Sequence, residues 1–341
     1  MKKKSMRVLV LFTVGITVLI LLFRYVGGEE TINLLKNVKF SYLVTAFFIE
    51  MILFVLWGYR WKILLEAAKE KISIKNLYLS LFIGILFNNV TPSSKSGGEP
   101  VRAYVLAKME DITSERAFAT ITTDRIFDSF PYVFLSLLSI IYLFFFKHIP
   151  LWVEYILIIA LLFSVFLLAI TIYLCINPRA TKRLILGAIN FFGRFFPKIK
   201  RYREKAEEMI AIFNKTILEI GRNKIALIKA MTISFFMLFC SFFRVYFVFL
   251  SVGYRVDMIV PVIVTIIAIL VSIIPLLPGG LGTTEGVMLL IFSIFGVSAA
   301  VSASVTILDR FLSYWLGIFI GSACFFYSSK VMEKSSDNRN L

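Results

Sequence analysis

Long stretches of this chain carry no charged side chain at all: residues 8–23, 129–146, 155–178, 258–284, 286–308 and 311–329. An apolar run of about 18 residues or more, wound as a helix, is long enough to cross the hydrocarbon layer of a bilayer. With 59% hydrophobic residues and a mean hydropathy of +0.86, a water-soluble globule is excluded. The expected fold class is an all-α polytopic membrane protein, with residues 1–341 forming one transmembrane domain.

Charge narrows the partners. A net charge of +16 would suggest nucleic acid in a soluble protein. In so apolar a chain the counterpart is anionic lipid, and no nucleic acid is expected. The cysteines Cys175, Cys240 and Cys324 sit inside apolar runs without metal-ligand spacing, and no metal or cofactor is expected. Lys2, Lys3, Lys4 and Arg7 precede the run 8–23, and Tyr25-Val26-Gly27-Gly28 after it is a poor cleavage site. The run therefore reads as a retained first span rather than a signal peptide.

Basic residues favour the cytoplasmic side. The simplest threading puts 24 Lys and Arg inside, in segments 1–7, 60–76, 177–224 and 330–341. It leaves 5 outside, in 24–39 and at Lys147 and Arg255. Both termini are then cytoplasmic and the membrane is the plasma membrane. The threading holds only if segment 77–116 enters from the cytoplasm and returns to it, because residues 101–116 carry Arg102, Lys108, Glu110, Asp111, Glu115 and Arg116. The basic connector 177–224 carries two helical patterns: Leu184, Ile185, Ala188, Ile189, Phe192 and Phe195, then Ala206, Met209, Ile210, Phe213, Ile217 and Ile220. These predict amphipathic helices at the headgroup plane or in the cytoplasm.

Two stretches match in order and spacing. Arg60, Pro92, Gly97-Gly98, Glu99 and Asp124-Arg125 are followed later by Arg244, Pro275, Gly279-Gly280, Glu285 and Asp309-Arg310. The agreement predicts a duplication covering about 40–146 and 225–328, with the second copy threaded in the opposite sense. Inverted repeats with broken helices at the midplane are a transporter architecture. The second hairpin, 258–295, is apolar enough to be two complete spans instead.

The chemistry concentrates at the breaks. The segment from Asn88-Asn89 through Pro92, Ser93, Ser94, Lys95 and Ser96 to Gly97-Gly98-Glu99 cannot be continuous helix. The helix that follows should offer free N–H groups and its positive dipole end to a phosphate, and Thr283 or Thr284 should cap its counterpart. The competing reading is a pair of structural kinks capped by carboxylates. Asp124, Arg125 and Asp128, and later Asp309-Arg310, lie within apolar helices and must pair in the bundle interior. We expect partners across the repeats, with Glu99 and Glu285 engaging Arg125 and Arg310, and Lys95 and Arg102 left for an anionic ligand. Arg60, beside Trp57, Tyr59 and Trp61, reads as an interface anchor. Glu50 and Arg244 lie within spans, with partners the sequence does not name.

In sequence, Asn88-Asn89 and Pro92, Gly97-Gly98-Glu99 and Arg102, Asp124-Arg125, Pro275, Pro278-Gly279-Gly280, Gly282, Glu285 and Asp309-Arg310 resemble the lysylphosphatidylglycerol synthase transmembrane region, a flippase-like integral membrane family. The resemblance implies a helical domain that moves an aminoacylated phospholipid or a polyprenyl-linked headgroup between leaflets. Aminoacylating members continue into a soluble synthase domain, and this chain ends at Leu341, so no lysyl-transferase activity is expected. The favoured function is therefore a lipid translocase. The alternatives are a transporter of a small soluble anion and an intramembrane prenyl or glycosyl transferase. Against an enzyme, His148 is the only histidine, and Asp124-Arg125-Ile126-Phe127-Asp128 offers half of a magnesium-diphosphate site without a second acidic pair.

Overall fold

The computed structural model describes residues 28–91, 97–147, 149–195, 203–272 and 278–337. The first apolar run, Pro92, Lys95 and the serines beside it, His148 and Pro275 lie outside the described residues. Among the described residues every regular element is helical, as the charge-free runs predict. Five stretches are long and apolar enough to cross a membrane: Phe40–Ala67, Ser114–Phe146, Leu151–Ile176, Lys224–Ser251 and Ala299–Ser329.

In chain order the helices are α1 (Gly28–Lys36), α2 (Phe40–Ala67), α3 (Ile74–Val90), α4 (Gly98–Met109), α5 (Ser114–Phe146), α6 (Leu151–Ile176), α7 (Pro178–Phe195), α8 (Arg203–Arg222), α9 (Lys224–Ser251), α10 (Ile259–Ser272), α11 (Thr283–Ile294), α12 (Ala299–Arg310) and α13 (Leu316–Asp337). A π-helical turn, Phe311–Trp315, joins the last two. Starts are set locally: Ser73, Thr113 and Asn223 each accept a hydrogen bond from the backbone N–H three residues on, replacing a partner the helix cannot supply.

The loops sort to two ends of the bundle. At one end Arg116 pairs with Glu70 and Glu219, Ser73 N–H donates to Glu110 Oε1 (3.0 Å), and Lys75 Nζ donates to the Tyr327 hydroxyl (2.8 Å). At the other end Lys39 N–H donates to the Ser251 carbonyl (2.7 Å) and the Lys147 ammonium lies 4.6 Å from the Phe295 ring centre. Among the described residues, parts of the segments 60–76 and 177–224 assigned inside by charge thus gather at one end. Helices α2 and α9 run antiparallel, since Lys39 meets Ser251 while Ala67 and Ala68 pack with Ala226 and Ala230.

Between the long helices sit two broken hairpins. Helices α3, α4, α10 and α11 have 17, 12, 14 and 12 residues, or about 18 to 26 Å at roughly 1.5 Å per residue. Among the described residues none of these helices by itself reaches the roughly 30 Å of a bilayer core. The first hairpin opens from the end carrying Glu110 and the second from the end carrying Phe295. Their tips meet where Gly279 packs against the Asn89 carbonyl oxygen, 2.8 Å from where a Cβ on Gly279 would lie, and the Tyr314 hydroxyl of the π-helical turn donates to the same carbonyl (2.9 Å). Close approach here depends on glycine. A Cβ on Gly98 would lie 1.9 Å from the Gly84 carbonyl oxygen, and one on Gly279, at φ +57°, 2.4 Å from the Tyr314 ring.

The connector folds as two helices, but they behave differently. In α8, Ile210 and Ile220 are buried, with Ile220 packed beside Ala226 under the end of α2. In α7, Leu184 and Phe192 are more than half exposed among the described residues, so part of its apolar face is open. The outer faces of α5 and α6 are likewise apolar, with Phe145, Phe146 and Phe166 exposed.

Candidate functional site

Charged side chains gather in two groups near the hairpin tips, and α5 supplies the first. Asp124 and Asp128 are one turn apart and share a face, while Arg125 is rotated about 100° from Asp124. The two aspartates meet α2: Arg60 Nε donates to Asp124 (2.8 Å) and Nη2 to Asp128 (3.0 Å). Its third arm, Nη1, donates to Ser234 Oγ of α9 (2.8 Å). Arg125 turns to α4, where Nε lies 2.6 Å from Glu99 Oε1. Asp124 also accepts from Trp57 Nε1 (3.0 Å) and Arg102 Nη1 (3.2 Å).

The second group repeats the pattern. Arg244 of α9 pairs with Asp309 of α12, and Arg310 Nε lies 2.6 Å from Glu285 Oε1 of α11. Glu285 Oε2 accepts from the Gly282 N–H (2.6 Å), so one carboxylate caps its helix and holds the arginine. Glu50 of α2 joins this group, its Oε2 3.1 Å from Arg244 Nε. Arg60 and Arg244 are each the twenty-first residue of a 28-residue helix, and Glu50 and Ser234 each the eleventh. The contacts Arg60 to Ser234 and Arg244 to Glu50 are therefore reciprocal.

Several expectations are corrected by these positions. Glu99 and Glu285 do engage Arg125 and Arg310, but within each half of the chain rather than across halves. A helix and the hairpin beside it in sequence are also neighbours in space, so the nearest opposite charge is local. Arg60 is not an interface anchor. It is fully buried, and the Trp57 and Trp61 indoles beside it donate to Asp124 and Thr120 (both 3.0 Å) instead of to headgroups. Arg102 is not left free: it is 2% exposed, bound to Asp124, and stacked 3.5 Å from the Trp61 ring centre. The cap of α11 is Gly282, with Thr283 inside the helix. Nor is the start of α4 open to a phosphate, because the Gly98 N–H donates to Asn88 Oδ1 (2.7 Å), whose Nδ2 donates to Glu99 (3.1 Å).

A cavity of about 530 Å³ lies between the two groups. Asn88, Asn89, Glu99, Arg125, Asp128, Asp309 and Arg310 line it. Gly97, Gly98, Arg102, Asp124, Gly279, Gly280 and Glu285 stand behind that wall, holding the lining residues or the hairpin tips. Sequence reasoning missed Ser234, Tyr132 and Thr265, neutral residues that carry no signal in an apolar chain. It could have joined Glu50 to Arg244, the two charges within spans that lacked partners. The cavity is also lined by apolar side chains, among them Phe54, Ile85, Val133, Leu167 and Met288.

A bundle with five helices long and apolar enough to cross a bilayer, enclosing a charged cavity, defines a multi-pass helical membrane protein. The chain belongs to the family described as the lysylphosphatidylglycerol synthase TM region, which it matches over residues 7–321. A UPF0104 membrane protein of Methanothermobacter thermautotrophicus is 32% identical over 330 residues, covering 96% of this chain and 98% of that protein. A UPF0104 membrane protein of Pyrococcus horikoshii is 30% identical, covering 97% of this chain and all of that one. Another, from Methanocaldococcus jannaschii, is 29% identical over 94% of this chain.

Proposed function

We propose that this protein is a lipid translocase of the plasma membrane, with both termini cytoplasmic. Its two halves, about 40–146 and 225–328, act as inverted repeats about an axis in the membrane plane. The cargo is a phospholipid, anionic or aminoacylated, or a polyprenyl-linked headgroup.

The observation that carries this reading is the mixed lining of the cavity, where ionised and apolar side chains meet the same space. That pairing suits an amphiphile, whose headgroup meets charges while its chain stays against hydrocarbon. Among the cavity guanidiniums Arg125 is the accessible one, with 27% of its side chain exposed. We assign it the headgroup phosphate, met by exchange with Glu99. A two-fold relation is supported by the reciprocal contacts of Arg60 with Ser234 and Arg244 with Glu50, the signature of an isologous interface. It is supported also by hairpins opening from opposite ends.

Mass spectrometry of lipids retained by the purified protein tests the cargo. Wild type should be enriched in one phospholipid or polyprenyl phosphate relative to the bulk membrane. Arg125→Ala should lose that enrichment, and Arg125→Lys, which keeps the charge, should retain part of it. A wild-type lipid profile matching the bulk membrane would count against the reading.

A further inference from the structure

The two charged groups do not balance alike. Around the first, Arg60, Arg102 and Arg125 face Glu99, Asp124 and Asp128, three against three. Around the second, Arg244 and Arg310 face Glu50, Glu285 and Asp309, leaving one carboxylate in excess. The difference lies in single residues at matched places. Met288, three residues after Glu285, stands where Arg102 follows Glu99, and Glu50 stands on α2 where α9 has Ser234. An unbalanced charge buried at membrane depth must be compensated, by a partner or by neutralisation.

Glu50 is where the excess sits. It is 6% exposed, and its Oε2 is buried without a hydrogen bond. The Arg244 Nε beside it is equally unmatched, close but not aligned to donate. Arg244 is already committed to Asp309. Besides these, the charged groups lining the cavity are Glu99 of α4, Arg125 and Asp128 of α5 and Arg310 of α12, and its neutral polar groups include Tyr132 of α5, Ser241 of α9 and Thr265 of α10. The Thr265 hydroxyl is also buried without a partner. Among the described residues no three Asp, Glu, His or Cys are placed to hold a metal ion, and Arg244 between the two carboxylates repels a second cation.

We infer that Glu50 is a proton-binding site: its Oε2 takes one proton from hydronium in the cavity, becoming a carboxylic acid, and returns it to cavity water when the cavity opens. The protein would then bind and release one proton as the cavity changes access. This holds whether the cargo is a lipid or a soluble solute.

Infrared difference spectroscopy on the full-length protein in lipid nanodiscs tests it, independently of any transport. Wild type, titrated from about pH 5 to about pH 9, should show a carboxylic-acid carbonyl band that shifts in D2O and disappears at high pH. Glu50→Gln should lack that band, and Glu50→Asp should move it. A wild-type spectrum without a protonated carboxyl, or a band that persists unaltered in Glu50→Gln, would overturn the assignment. So would a band suppressed by sodium chloride but not by choline chloride, because it would make sodium the bound cation. Should Glu50→Gln fail to fold, the wild-type titration and the Glu50→Asp shift still decide.

Discussion

Arg60 has three bonded partners on two other helices, and its removal should be felt by all of them. Breaking a buried pair by deleting one member leaves a bare charge and costs about 3–5 kcal/mol. Arg60→Met should therefore lower the thermal midpoint in detergent sharply. Replacing Asp128 with Asn in the same chain should restore part of the loss, because it removes the unbalanced carboxylate and leaves Asp124 to Arg102. Gly98→Ala should also destabilise, by about 1–3 kcal/mol, because the Gly84 carbonyl it would strike is backbone and cannot rotate away. At this scale the charges were readable as paired, because lone charges in apolar helices are not tolerated. Which charge met which was readable only within a helix and the hairpin beside it. Arg60 was misread because flanking tryptophans usually mark an interface, and nothing in the sequence shows that their N–H groups are used internally.

The helices themselves were largely set by pattern. α3 stops at Val90 and α4 begins at Gly98, on either side of the segment where the sequence predicts a break, and apolar periodicity placed both connector helices. What periodicity does not contain is whether an apolar face meets protein or lipid. α8 spends its face on the bundle, whereas α7 keeps Leu184 and Phe192 open. Spin labels at Leu184 and Phe192 should collide with oxygen in preference to a water-soluble nickel complex; the reverse preference would place α7 in solvent. Lys182 Nζ, 2.6 Å from Glu207 Oε2, fastens α7 to α8 and holds that carboxyl below the usual range. The fastening contributes above the ordinary glutamate pKa and is lost as pH falls through the lowered value. Label mobility at Leu184 should accordingly rise only in acid.

For the whole molecule, counting basic residues grouped 60–76 with 177–224 and set Lys39 and Lys147 apart, and the described parts of those segments lie at the two ends of the bundle. That worked because the bias acts on loops and needs no tertiary information. It could not give the cavity, which forms only when α2, α5, α9 and both hairpins close on one another. Single cysteines at Lys69 and Lys215, in a background lacking the native three, should react with a membrane-impermeant reagent from the same side. One at Arg255 should react from the other. The most direct test of the translocase reading is leaflet exchange of a headgroup-labelled lipid in proteoliposomes. Wild type should expose inner-leaflet label faster than protein-free vesicles and Arg125→Ala should not, while both hold an entrapped soluble dye. Equal rates for wild type and empty vesicles, over the lipids the protein retains on purification, would contradict the account.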